Sequence, residues 1–191
     1  MKLNLGCGSN KIEGYLNVDK VGDPDVKADL EDVPWFFTED DSVDEVVAHH
    51  VLEHLGQTTQ AYFEILRELY RVCKDGAVIH LTFPHHRHNN AVDDPSHVRQ
   101  LTLYGLSLFD QERNRVSQAE HRADSTLGLD LGVDFVISNP SYKLEKDVSD
   151  KLAAGEITEA DIADMERRQN NIIKEVRVDW LVRKGDKANH V

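Results

Sequence analysis

Eight residues, Cys7 to Gly14, separate the apolar run Lys2–Leu5, which ends at Gly6, from the run Tyr15–Val18, which ends at Asp19. This spacing limits the fold more than any other feature. A crossover between parallel strands normally takes ~10–12 residues or more, usually as a helix. Here the first crossover helix is therefore absent or reduced to a single turn. The glycines of "LNLGCGSN" fit a tight turn at a strand end, where a missing Cβ also lets a ligand approach the backbone. Gly14 helps the chain double back.

Further strand-like runs follow at Val26–Ala28, Val43–Ala48, Ala77–Phe83, Asp134–Ser138 (resuming at Tyr142–Leu144) and Val176–Val182. Between the fourth and fifth, Tyr62, Phe63, Ile65, Leu66, Leu69 and Tyr70 recur at helical spacing, with Thr58 or Thr59 as N-cap and Lys74–Gly76 as the stop. A short helix is expected over Leu101–Phe109, and residues 111–131 show no clear pattern. Strands alternating with helices argue for an α/β protein with a parallel sheet. A chain of 191 residues fits one domain, residues 1–191. Residues 145–174, strongly charged and helical in pattern, read as an insertion before the last strand. Thr158 and Asp161 there resemble a capping box. The insertion can cover the sheet, form a lid or make a homodimer contact; a helix with a solvated charged face is the simplest reading.

The net charge of −13 opposes nucleic acid as a partner. No apolar run approaches the ~20 residues that span a bilayer, and no secretory signal opens the chain, so a cytoplasmic location is expected. Cys7 and Cys73 form no CxxC pair. A small-molecule ligand fits best. In open α/β sheets ligands sit at the carboxyl ends of the strands. Gly6 and Gly8, then Asp19, then Asp29 fall there in chain order. An acid after the second strand can accept both hydroxyls of a ribose, and one after the third can receive an adenine amine.

With these residues the sequence resembles the class I S-adenosylmethionine-dependent methyltransferases. "LNLGCGSN" looks like that family's first motif, "NVD" (Asn17–Asp19) its ribose-binding acid and "KADL" (Lys27–Leu30) its adenine-side motif. "SVDEVVAHHVLEHL" and "ELYRVCKDGAVIHLTFP" are similar to its fourth-strand and fifth-strand segments. The resemblance covers residues 1–110. It implies a Rossmann-like, mostly parallel, seven-stranded sheet, with S-adenosylmethionine held by Asn4, Gly6, Cys7, Gly8, Asp19, Asp29 and Leu30. His49 and His50 would contact its methionine end. Asn4 departs from the pattern, which carries an acid there. Without the first helix, its dipole is weakened or lost to the donor's carboxylate; direct backbone amides or Lys11 could substitute, a solvated lysine being the simpler reading of Lys11. A nicotinamide oxidoreductase is disfavoured because GCGSN lacks a third, helix-packing glycine.

Eight of the ten histidines lie between His49 and His97. Histidine suits removal of a proton from a methyl acceptor, its pKa lying near neutrality. His85, His88 and His97 are candidate catalytic residues, with Arg99 to hold an anionic acceptor group; "DPSHVR" resembles a segment of small members of the family. His85, His88, Asp93, Asp94 and His97 could also ligate a divalent metal, but no established spacing supports that and no metal is expected. "ISNPSY" (Ile137–Tyr142) imitates the NPPY signature of amino-group methyltransferases, yet Ser141 replaces a proline and the motif comes after the wrong strand. The expected function is methylation of a small molecule or glycan, at oxygen with a histidine base. Amino-group methylation of a macromolecule and a noncatalytic cofactor-binding or partner-binding subunit are the alternatives.

Overall fold

The computed structural model describes residues 1–185. Seven strands form one sheet: β1 (Lys2–Leu5), β2 (Leu16–Asp19), β3 (Val26–Lys27), β4 (Val43–His49), β5 (Cys73–Pro84), β6 (Phe135–Leu144) and β7 (Ile173–Val182). Their order is β3-β2-β1-β4-β5-β7-β6, and β7 alone runs opposite to the other six. The helices are α1 (Thr59–Val72), α2 (Leu103–Ser107), α3 (Gln111–Ala119), α4 (Leu127–Leu131), α5 (Lys146–Ala153) and α6 (Glu159–Arg168). Among the described residues no helix lies between β1 and β2, as the eight-residue spacing requires, and none lies between β2 and β4. None of the helices described is long and apolar enough to cross a membrane.

Helix α1 begins where Thr58 accepts a hydrogen bond from the Ala61 amide, and it buries Tyr62, Ile65, Leu66, Leu69 and Val72. Full burial of each such aliphatic chain stabilises by about 1.5–3 kcal/mol. Helix α1 ends at Val72, just before Lys74–Gly76, where the sequence places its stop. The chain enters β5 at Cys73, and Lys74–Gly76 forms an irregularity in its pairing with β4, where Gly76 takes φ +77°.

Register partners across a sheet share a face. Leu3, Val46, Ile79 and Trp180 lie in one row and are fully buried. Trp180 stacks on Phe135 at 4.2 Å and meets the edge of Phe109 at 5.6 Å. The opposite face, without helices from the first three crossovers, carries a row of charged and polar groups beside the half-buried Val47, Val78 and Leu181. Lys2 pairs with Glu45 (2.6 Å), Glu45 faces His80 (3.5 Å), His80 meets Asp179 (2.6 Å), and Asn139 donates to Asp179 (2.8 Å). Ile137–Tyr142 thus belongs to β6 at the sheet edge, with Asn139 bonded to Asp179. This removes the amino-group signature from the strand where it would act.

Residues 145–174 supply α5 and α6. The capping box at Thr158 and Asp161 is present. Beyond a solvated charged face, the two helices bury Val148 and Ile162 against Ile172 and Ile173, a second small core.

Candidate functional site

The loop after β1 holds its shape through side chains in place of a helix. Gly6 and Gly8 take φ +61° and +52°, the left-handed region that glycine occupies without strain. Buried Asn4 donates through Nδ2 to the Asn10 carbonyl (2.9 Å) and to Asn17 Oδ1 (2.8 Å), and Asn17 Oδ1 also accepts the Ile12 amide (2.8 Å). A carboxylate at position 4 would face these two acceptors with nothing to donate, which accounts for the departure from the family pattern. Asp19 closes the loop, Oδ2 accepting the Gly8 amide (2.8 Å) and Oδ1 the Val21 amide (2.9 Å). Lys11 pairs with Asp25 at 3.0 Å, both side chains partly exposed.

A cavity of about 550 Å³ opens at the carboxyl ends of β1, β2 and β4. Of the expected donor-binding residues, Gly6, Asp19, Asp29, Leu30 and His50 line it. Asn4, Cys7, Gly8 and His49 do not. Asn4 and Gly8 shape the loop, buried Cys7 donates its amide to the Val18 carbonyl (3.2 Å), and His49 packs its ring on His50 (4.5 Å). Asp29 accepts the Glu31 amide (3.1 Å) and lies 3.6 Å from Lys20. Sequence reasoning missed Glu31, Val51 and His54 in the lining. Glu31 accepts the Gly56 amide at 2.8 Å, a partner with no sequence signal.

His50 follows β4 with φ +55°, a strained conformation for a residue with a Cβ and one that clusters at functional sites. Its Nδ1 is 3.0 Å from Glu53 Oε1, and its Nε2 is 3.7 Å from Glu175 Oε1. The Glu53 hydrogen bond raises the His50 pKa above the ordinary histidine value against the opposing effect of burial. Burial, then the charge of His50, lowers that of His49.

A second cavity, about 810 Å³, lies beyond β5 and is walled by α6. His85 and His86 line it together with Tyr104, Tyr142, Glu166 and Arg167. Burial pushes the His85 pKa down to about 4. The other three expected catalytic residues line neither cavity. His88 is buried; its Nε2 meets Glu145 (2.8 Å) and its Nδ1 accepts the Asn90 amide (3.0 Å), so it ties the loop to α5. Arg99 donates to the carbonyls of Leu55 (2.9 Å) and Gly56 and lies 3.6 Å over the Tyr62 ring. Its role as an anion clamp is corrected to that of a brace. His97 turns toward His54, their ring centroids 4.5 Å apart.

Residues 3–81 match the family described as a methyltransferase domain. No curated protein matches the chain. Among solved structures, a SAM-dependent methyltransferase from Archaeoglobus fulgidus superposes with a TM-score of 0.60 at 19% identity, over 94% of this chain and 85% of that one. The YcgJ protein from Bacillus subtilis gives 0.53 at 16%, over 96% and 92%. The 1,6-didemethyltoxoflavin-N1-methyltransferase of Burkholderia thailandensis, solved with its substrate and S-adenosylhomocysteine, gives 0.51 at 11%, over 96% and 71%. At such identities the likeness is one of fold. Residues 3–81 thus match a methyltransferase domain, and the seven-stranded sheet that carries them has the fold of a SAM-dependent methyltransferase.

Proposed function

We propose that the chain methylates an oxygen of a small molecule or glycan, with His50 as the base. The observation that carries this reading is that Gly6, Asp19, Asp29 and His50 line one cavity. Those residues fit the methyl donor. A Cβ on Gly6 would lie 2.6 Å from Val51 Cγ2, so the loop backbone itself forms that wall. Asp19 keeps lone pairs for ribose hydroxyls, and Asp29 with Leu30 offers an acid and an apolar surface to adenine. S-adenosylmethionine supplies an electrophilic methyl group on a sulfonium. The protein's share is largely positioning and proton removal.

Glu53 fixes the ring of His50 through Nδ1, which directs Nε2 to the acceptor. A hydroxyl proton would pass to Nε2 as the oxygen takes the methyl group and the methyl–sulfur bonding pair returns to sulfur, which leaves as the neutral thioether; Glu53 and Glu175 would stabilise the imidazolium, as the carboxylate does in a catalytic triad. His50 lines the donor cavity and not the 810 Å³ one, so in this reading the acceptor's reacting hydroxyl enters the donor cavity while the rest of the acceptor occupies the 810 Å³ cavity at the same end of the sheet. Its aliphatic walls with tyrosine and charged groups suit an apolar molecule bearing a polar group.

Calorimetry with S-adenosylmethionine and tritium transfer to a panel of hydroxyl acceptors test the reading. Asp19→Ala should lose donor affinity. His50→Gln should bind the donor normally and lose turnover by ~100-fold or more, in the range of general-base removal. Normal donor binding by Asp19→Ala would sink the cofactor assignment, and normal turnover by His50→Gln would sink the base.

A further inference from the structure

Glu53, His54 and His97 each bring a ligand atom to within 4.8 Å of the others. They come from two segments, the single 3-10 turn Leu52–His54 and the loop before α2. The backbone joins these segments firmly: the Glu53 carbonyl accepts the amides of Val98 (2.9 Å) and Arg99 (3.3 Å).

The hydrogen bonds around the two rings assign their protons. The Nδ1 of His97 lies 3.3 Å from the Ala91 carbonyl. A carbonyl only accepts, so this nitrogen carries the proton and Nε2 keeps a lone pair. The Nδ1 of His54 lies 3.0 Å from Ser96 Oγ. Ser96 gives its single hydroxyl proton to Asp94 Oδ1 at 2.6 Å, so its oxygen accepts and His54 Nδ1 must donate. His54 too keeps its lone pair on Nε2. Both rings are thus fixed in the tautomer that a metal ligand needs, by the carbonyl and hydroxyl acceptors that usually stand behind such ligands.

The third member is a carboxylate without a full set of partners. Glu53 is 2% exposed. Its Oε1 takes the His50 hydrogen bond, while its Oε2 is buried with no hydrogen-bond partner. A buried carboxylate oxygen left unpartnered costs free energy that a cation would recover. Two imidazole lone pairs and one such oxygen, with no proton donor among them, form a donor set for a divalent transition metal.

We propose that Glu53, His54 and His97 bind one divalent cation of the zinc type in the wall of the 550 Å³ cavity. Two nitrogens and one carboxylate oxygen suit zinc or a neighbouring first-row metal, and three protein ligands leave a coordination position open. His54 lines that cavity, so the open position belongs beside the methyl donor. Its ligand there is an oxygen, from water or from an acceptor hydroxyl. Glu53 then serves two partners, His50 through Oε1 and the metal through Oε2. The metal site does not depend on the nature of the acceptor.

Metal-stripped full-length protein titrated with zinc chloride alone, and with cobalt chloride for its visible absorption, tests the proposal. The expected result is one equivalent bound, with His97→Ala and His54→Ala each weakening affinity by more than about 100-fold. Ser96→Ala, which removes only the support of His54, should weaken it about 10-fold or more. His97 is on a loop, and circular dichroism of its variant checks that the fold is kept. His86→Ala serves as control, because His85, His86 and Glu166 form a competing cluster. Absence of stoichiometric binding, or binding lost in His86→Ala and kept in His97→Ala, would overturn the proposal. S-adenosylmethionine affinity measured in parallel separates failure of this site from failure of the methyl-transfer reading.

Discussion

Alanine placed at Gly6 and at Gly8 should destabilise the protein unequally, because only one site is crowded. Both glycines have positive φ, so alanine at either costs about 1–2 kcal/mol of left-handed strain. At Gly8 nothing lies within 4 Å of the added Cβ, and the strain is the whole cost. At Gly6 the Cβ would lie 2.6 Å from Val51 Cγ2 and 3.2 Å from Cγ1. Val51 is buried and β-branched, so it cannot turn aside freely. Overpacking adds about 1–3 kcal/mol, giving about 2–5 kcal/mol for Gly6→Ala. Urea unfolding of the two single variants isolates the steric part as their difference. The same measurement in a Val51→Ala background should bring Gly6→Ala down to the level of Gly8→Ala. Equal losses in the two single variants, or no relief from Val51→Ala, would refute the argument.

Arg99→Ala should lose about 2–4 kcal/mol of stability, through its charged hydrogen bonds to Leu55 and Gly56 and its contact with Tyr62; thermal melting checks this. His85 should stay neutral down to about pH 4 in the folded protein, as ring-proton chemical shifts would report. Since its pKa is lowered on folding, its contribution to stability is complete above about pH 6.5 and declines as pH falls toward 4; His85→Gln should flatten that part of a stability–pH curve. Leu66→Ala, at a fully buried α1 position, should cost about 2–5 kcal/mol by denaturant midpoint.

The strand ends at Gly6 and Asp19, the Thr58 cap and the missing crossover helix were readable because each rests on local chemistry or chain length. Residues 111–131 were not. Helix α3 buries Asn114 and Ser117, and Asn114 works through hydrogen bonds to Leu108 and Leu129, so no apolar period marks the helix. The histidines were visible as a cluster, but their roles depended on partners far along the chain. Glu175 comes from β7 to meet His50, and Arg99 is spent on backbone carbonyls that carry no sequence signature. The same limit hid the tautomers of His54 and His97, which Ser96 and Ala91 fix.

The polar row across the uncovered sheet face also bears on alignment. It joins β1, β4, β5, β7 and β6 through Lys2, Glu45, His80, Asp179 and Asn139. Sliding any one of these strands by a single residue would turn its charged groups into the layer now filled by Trp180 and Ile79, and would bring its aliphatic groups into water. Wrong pairings are therefore penalised twice, once by each face. A sheet roofed on both sides with aliphatic side chains would lack that discrimination, so the thin half of this molecule selects its own correct assembly.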